Sequence, residues 1–174
     1  MPEPVPAAGQ SPGEPATLPY AVLDIDGVLA DVRHRLYHLE RRPKNWEAFF
    51  RAAPQDPVLD EGLAVARELA GAHQVVYLTG RPERCRADTR DWLDRHALPP
   101  GRLLMRRKGD FRPSRVAKIE QLRRLAAQQP VQLVVDDDVS VVRAARAAGF
   151  AVLHADWMGG QPALFDAQEL DGRT

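Results

Sequence analysis

A three-layer α/β sandwich around a central parallel sheet of about five strands is the fold that this sequence predicts. Short apolar runs rich in Val and Leu recur along the chain and alternate with amphipathic stretches of helical period. Several of the runs end in Asp, Thr or Gly. Strands buried on both faces and joined through helices form a parallel sheet with right-handed crossovers. The architecture is Rossmann-like, and its ligands gather beyond the carboxyl ends of the strands. At 174 residues the chain is long enough for one such domain and too short for two of typical size.

The first nineteen residues carry Pro2, Pro4, Pro6, Pro12, Pro15 and Pro19 with almost nothing apolar to bury, so 1–19 is expected to be a disordered tail. Tyr20 to Asp24 is the first strand. Asn45 is placed to cap a short helix with Trp46, Phe49 and Phe50, and Asp60 a second with Leu63, Val65, Ala66 and Leu69 on one face. Gln74 to Leu78 is the second strand. A helix from about Glu83 to His96 turns Trp92 and Leu93 inward and stops at Pro99, Pro100 and Gly101. Leu103 to Met105 is a third strand, and Ser114 is the expected cap of a helix to about Gln128. Val131 to Val135, a helix to about Ala148 and Ala151 to Leu153 complete the series. The domain spans 20–157, and 158–174 reads as a loosely attached tail. Neither the 51 residues between Gly27 and Thr79 nor the 12 between Met105 and Lys118 leave room for a separate cap domain, so none is expected.

The 24 basic and 24 acidic side chains cancel, which removes any net electrostatic reason for nucleic acid, membrane or acidic partners. Their distribution is uneven: residues 81–124 hold 14 basic and 6 acidic groups, a net +8. Arg81, Arg84, Arg106, Arg107, Lys108, Arg112 and Arg115 could line the approach of a polynucleotide through phosphate contacts. They are equally readable as a solvated surface paired with Asp88, Asp91 and Asp94. One cysteine, Cys85, excludes an intrachain disulfide and suits a reducing compartment. No stretch has the apolar length of a membrane span or the pattern of a signal peptide. A cytoplasmic protein without membrane contact is expected, and no protein partner is inferable.

Three strand ends carry the same chemical signal: Asp24-Ile25-Asp26-Gly27, Thr79-Gly80-Arg81 and Asp136-Asp137-Asp138. In a parallel sheet they converge on one edge. Carboxylates that close need a cation among them, and oxygen ligands with room for water suit Mg²⁺ and a substrate phosphate. One carboxylate of Asp24 and Asp26 can attack phosphorus while the other manages the proton. Thr79 and the amides after it can hold a phosphoryl oxygen, and a lysine would offset developing charge. Lys118 is the best-placed lysine, with Lys108 its rival. Arg81 is either a substrate clamp or a surface cap on the next helix. Asp138 reads as an N-cap. His34, His38, His73, His96 and His154 lack metal-ligand spacing, and Cys85 reads as an inert thiol.

Asp-x-Asp-Gly, a strand-terminal Thr, a Lys and an acidic pair, in that order, resemble the haloacid dehalogenase (HAD) superfamily over residues 20 to about 155. The resemblance implies a HAD-like fold with Asp24 as nucleophile, Asp26 as acid and base, and Thr79, Gly80, Arg81 and Lys118 around the phosphoryl group. It implies Mg²⁺ held by Asp24, Asp136, Asp137 and the backbone carbonyl of Asp26. Thr79-Gly-Arg81-Pro-Glu, the basic helix after it, Leu-Leu-Met-Arg-Arg and Val-Val-Asp136-Asp137 look like the 3′-phosphatase domain of bacteriophage-type polynucleotide kinase/phosphatase. No Gly-x-x-x-x-Gly-Lys-[Ser/Thr] loop occurs, so a phosphatase without the kinase half is expected. The implied activity is a Mg²⁺-dependent phosphomonoesterase acting on nucleic-acid 3′-phosphate ends or nucleotides. The alternatives are a phosphatase of a small metabolite such as a sugar phosphate, a phosphoacceptor signalling module and an inactive nucleic-acid-binding module.

Overall fold

Alternation along the first strand separates the core into two layers. Ala21 and Leu23 face one side of the sheet and Tyr20 and Val22 the other, as period-two geometry requires. The computed structural model describes residues 17–159 and Leu164. In chain order the elements are β1 (Tyr20–Leu23), α1 (Tyr37–Glu40), α2 (Trp46–Arg51), α3 (Asp60–Ala70), β2 (Gln74–Pro82), α4 (Arg86–Arg95), β3 (Gly101–Arg106), α5 (Ser114–Ala126), β4 (Val131–Asp136), α6 (Val139–Ala147) and β5 (Val152–His154). The five strands pair in parallel in the order β3-β2-β1-β4-β5. β1 is therefore central, with β2 and β4 as neighbours, and these are the strands whose ends carry the acidic and Thr motifs.

The layer against Ala21, Leu23, Val75 and Tyr77 is built from Phe49 of α2, Ala66 of α3 and Trp92 and Leu93 of α4. The opposite layer packs Ile119, Leu122 and Leu125 of α5 and Ala145 of α6 on Tyr20, Val22, Val76, Leu78 and Val134. The insertion after β1 does not form a separate cap among the described residues. Its Leu39, Trp46, Phe49 and Phe50 are buried in the first layer.

Strand and helix limits differ from expectation where a neighbour decides them. β2 runs on to Pro82 because, after a shift of register, Pro82 pairs with Arg106 of β3. Asn45 caps α2 as expected, accepting from the Ala48 amide at 2.9 Å, and Asp138 caps α6, accepting from the Ser140 amide at 2.8 Å. Asp60 and Ser114 do not cap. Leu59, tied through its N–H to the Leu29 carbonyl at 2.8 Å, starts α3 one residue earlier, and Pro113 does the same for α5. Asp60 still places negative charge in the first turn, where the helix dipole favours it. The expected tail of 1–19 lies outside the described residues up to position 16, and that of 158–174 does so apart from Met158, Gly159 and Leu164. No helix among the described residues is long and apolar enough to cross a membrane.

Trp92 joins the first layer to the site, since its ring is wholly buried and its Nε1–H donates to the backbone carbonyl of Asp56 at 2.8 Å. Trp92→Ala is expected to cost about 3–5 kcal/mol. Urea unfolding of both proteins measures the loss, and an unchanged midpoint would contradict this account of the layer.

Candidate active site

The chain reverses sharply after β1. The Ile25 carbonyl accepts the amides of Leu29 and Ala30 at 2.8 and 2.9 Å, and Gly27 takes a φ of +82°. A side chain on Gly27 would meet Asp137 Oδ2 at 1.9 Å, so only glycine lets the turn lie against the end of β4. This close approach brings the β1 and β4 acids together. Carboxylate oxygens of Asp24, Asp136 and Asp137 all lie within 4.8 Å of one another, and all three residues are buried. Lys118, projecting from α5, donates to Asp24 Oδ2 and to Asp136 Oδ2, each at 2.6 Å. The remaining oxygens of those two residues accept the Ile25 and Asp138 amides at 2.7 and 3.0 Å. Asp137 Oδ2 is buried without a hydrogen-bond partner among the described residues.

One ammonium cannot balance three buried carboxylates. The deficit falls on the proton affinities: burial pushes Asp24 up to about 7, Asp136 adding to the rise and Lys118 opposing it. Burial, followed by Asp136 and Asp24, raises Asp137 well above the ordinary carboxylate range. Burial would favour neutral Lys118, but Asp136 and Asp24 outweigh it and keep the ammonium charged. Three fully ionised acids around one lysine leave two negative charges unbalanced, the charge of one divalent cation. The all-oxygen donor set and the orphaned Asp137 Oδ2 fit such a hard cation.

Asp26 lies in different surroundings. Its Oδ1 accepts from Arg35 Nη2 at 2.8 Å and from Arg81 Nε and Nη2 at 2.9 and 2.5 Å. Asp56 completes the box, accepting from Arg35 Nε and Nη2 at 2.7 Å each and from Arg81 Nη2 at 2.8 Å. Two carboxylates and two guanidiniums thus cancel within one buried cluster. Burial would raise the Asp26 pKa, but Arg35 and Arg81 outweigh it and hold the carboxyl at about 2. The Arg35 guanidinium also lies 4.0 Å over the Phe49 ring.

Asp24, Asp26, Thr79, Lys118, Asp136 and Asp137 therefore meet at one sheet edge, and Gly80 adjoins them with Thr79 and Lys118 in a narrow neck. Lys118 rather than Lys108 reaches the acids; Lys108 is exposed on the loop after β3. Arg81 is no surface cap, being 1 % exposed and committed to Asp26 and Asp56. Arg35 and Asp56 were not singled out from the sequence. Arg35 sits in a 3-10 turn and Asp56 in a loop, so neither ends a strand. The available signal was weaker: two acids and two arginines that no apolar pattern could accommodate.

A model of the family "Polynucleotide kinase PNKP phosphatase domain" matches residues 19–157. Among solved structures, the Pnkp1/Rnl/Hen1 RNA repair complex aligns with a TM-score of 0.65 at 22% identity, over 86% of this chain and 46% of that chain. A second structure of the Pnkp1/Rnl/Hen1 complex gives 0.66 at 23% identity, over 86% and 50%. This chain spans about half the length of both. The haloacid dehalogenase-like hydrolase SP0104 from Streptococcus pneumoniae gives 0.54 at 14% identity, over 88% of this chain and 92% of that one. At these identities the structures establish a shared HAD fold. No curated protein matches.

Above the ordinary aspartate pKa the folded state keeps protons on Asp24 and Asp137 that the unfolded chain has lost, so these groups make stability fall as pH rises through the interval. The metal-free protein should therefore lose stability at this site between about pH 5 and pH 8. Asp137→Asn should lessen that loss and raise the pH 8 stability by about 1–3 kcal/mol, a Tm gain of roughly 2–10 °C. Thermal unfolding in EDTA at both pH values measures this, and a variant less stable than the parent at pH 8 would contradict it.

Proposed function

This chain belongs to the polynucleotide kinase PNKP phosphatase-domain family within the HAD superfamily, and from that premise we propose a magnesium-dependent phosphomonoesterase of nucleic-acid 3′-phosphate ends or nucleotides. The observation that carries the reading is Lys118 shared by Asp24 and Asp136 beside the unpartnered Asp137 oxygen. The polynucleotide part draws support from the matched family and from a structural neighbour that is an RNA repair complex. In this reading the domain covers 20–157 between two tails and works in the cytoplasm.

Asp24, Asp136, Asp137 and the Asp26 backbone carbonyl would hold Mg²⁺, which neutralises the acids and withdraws charge from the phosphoryl oxygens. Lys118 offsets charge on Asp24 and on the transferring group. Thr79 Oγ1 accepts from the Arg81 amide at 3.2 Å, which leaves its hydroxyl hydrogen for a phosphoryl oxygen next to Gly80. As the phosphate dianion binds, Asp26 takes up a proton from solvent; an Asp24 oxygen then bonds to phosphorus as the ester P–O bond breaks, and Asp26 gives that proton to the leaving oxygen. In the second step Asp26 takes a proton from water, the water oxygen bonds to phosphorus, and the Asp24–phosphorus bond breaks to release inorganic phosphate.

Asp26 is suited to both steps because, among the described residues, every bond to its carboxylate falls on Oδ1, leaving Oδ2 for substrate and water. The two guanidiniums favour its ionised form before substrate binds. A phosphate dianion arriving beside it raises its proton affinity again. Arg81, expected to touch substrate, acts here on Asp26 and so serves as a positioning residue.

Asp24→Asn should lower Mg²⁺-dependent phosphate release by about 10³-fold or more, and Asp26→Asn should lower kcat by about 10²–10⁴. EDTA should abolish activity and Mg²⁺ restore it. The assay compares 3′-phosphorylated oligonucleotides, 3′- and 5′-nucleotides and sugar phosphates. A preference for the sugar phosphates would move the reading to a metabolite, and equal rates for parent and Asp24→Asn would end it.

A further inference from the structure

Phe111 is 64 % exposed, yet the loop that carries it is firmly built. Buried Arg106 donates through Nη1 to the carbonyls of Asp110 and Arg112 at 3.2 and 2.7 Å, and the Asp110 amide closes a turn onto the Arg107 carbonyl at 3.2 Å. Gly109, at φ +80°, makes that turn possible. An aromatic ring held out to solvent by a buried arginine is a preformed contact surface rather than a loose end.

This loop forms one wall of a cavity of about 820 Å³, with Trp46 and Phe50 of α2 and Arg84 on the other sides. The volume lies within the range of sites that enclose whole ligands. The cavity shares Arg106, Arg107 and Asp110 with the small hollow lined by Thr79, Gly80 and Lys118, so the two adjoin. Its charge balance is positive in effect. Glu47, Glu83 and Asp110 are ion-paired with Arg51, Arg86 and Arg112, which lie off the wall. Arg107 and Lys108 are exposed and have no ion pair among the described residues, and Arg84 rests 5.6 Å over the Phe50 ring.

Aromatic faces together with uncommitted cations are what an unpaired nucleotide recognises: the base stacks and the backbone phosphate meets the charges. We infer that this cavity binds the unpaired 3′-terminal nucleotide, its base against Phe111 and the phosphodiester on its 5′ side among Arg84, Arg107 and Lys108. The inference rests on the reading of the chain as a phosphatase of nucleic-acid 3′ ends, and it adds a subsite outside the reacting centre. The terminal 3′-phosphate then lies on the side of the cavity where Arg106 and Arg107 adjoin Thr79 and Lys118. A duplex end must fray to enter, because a stacked and paired base cannot lie on Phe111.

The test compares kcat/KM for a nucleoside 3′-phosphate, a dinucleotide 3′-phosphate, a single-stranded pentanucleotide 3′-phosphate and the same pentamer with an abasic 3′ residue, in ribose and deoxyribose series. Dinucleotide and pentamer should exceed the mononucleotide by about tenfold or more. Arg107→Ala combined with Lys108→Ala should bring that ratio towards one. Phe111→Ala should erase the difference between the pentamer and its abasic form, while Phe111→Trp keeps it. In parallel, a dye-labelled pentamer 3′-phosphate is titrated with the full-length Asp24→Asn protein in Mg²⁺, with and without Phe111→Ala, and polarisation should show binding weakened about tenfold by the second change. Phosphate release that ignores chain length, with binding indifferent to Phe111, would overturn the subsite and leave the phosphatase reading intact. Absence of phosphate release from every substrate, with the Phe111 contrast in binding preserved, would overturn the phosphatase reading and leave the subsite.

Discussion

Four aspartates buried at one sheet edge are the constraint to which the rest of this structure answers. A carboxylate removed from water without compensation is costly, and the fold resolves that cost in two opposite ways within a few residues of chain. Asp26 is matched internally, its charge and that of Asp56 met by Arg35 and Arg81. Asp24, Asp136 and Asp137 are matched only in part, by Lys118, and one Asp137 oxygen is left with nothing. The first cluster is balanced in charge as folded protein, with Arg35 Nη1 left without a hydrogen-bond partner among the described residues. The second keeps an excess of negative charge in a donor set that suits a hard cation.

The parallel sheet makes both solutions possible. With β1 central, the ends of β1, β2 and β4 supply Asp24, Thr79 and Asp136 side by side, and Gly27 removes the one side chain that would keep the β1 turn from the β4 acids. The extension of β2 to Pro82 carries Arg81 past the edge to where it meets Asp26. Site geometry here follows from strand order and one glycine, before any long loop is considered.

Much of this was legible in the sequence because it is local. Apolar runs ending in Asp or Thr marked the strands, and Asp-x-Asp-Gly with Thr79, Lys118 and the acidic pair marked the edge. Arg35 and Asp56 escaped because what makes them matter is contact across 21 residues of chain, on elements without period or strand-end position. Arg81 was visible but its surroundings were not: burial beside two carboxylates is a tertiary fact. The caps proposed at Asp60 and Ser114 failed for a related reason. The bond that the Leu59 amide donates to the Leu29 carbonyl fixes the chain before Asp60 is reached, and the sequence near Asp60 carries no trace of it.

The two halves of the site hang from opposite layers. The half around Asp26 is anchored through Asp56 to the Trp92 indole of α4, whereas Lys118 comes from α5 on the far side of the sheet. β1 with its turn, and β2, which carries both Thr79 and Arg81, belong to both. A substitution in the helices of one layer therefore bears on one half of the site, whereas a shift of β1 or β2 moves members of both at once.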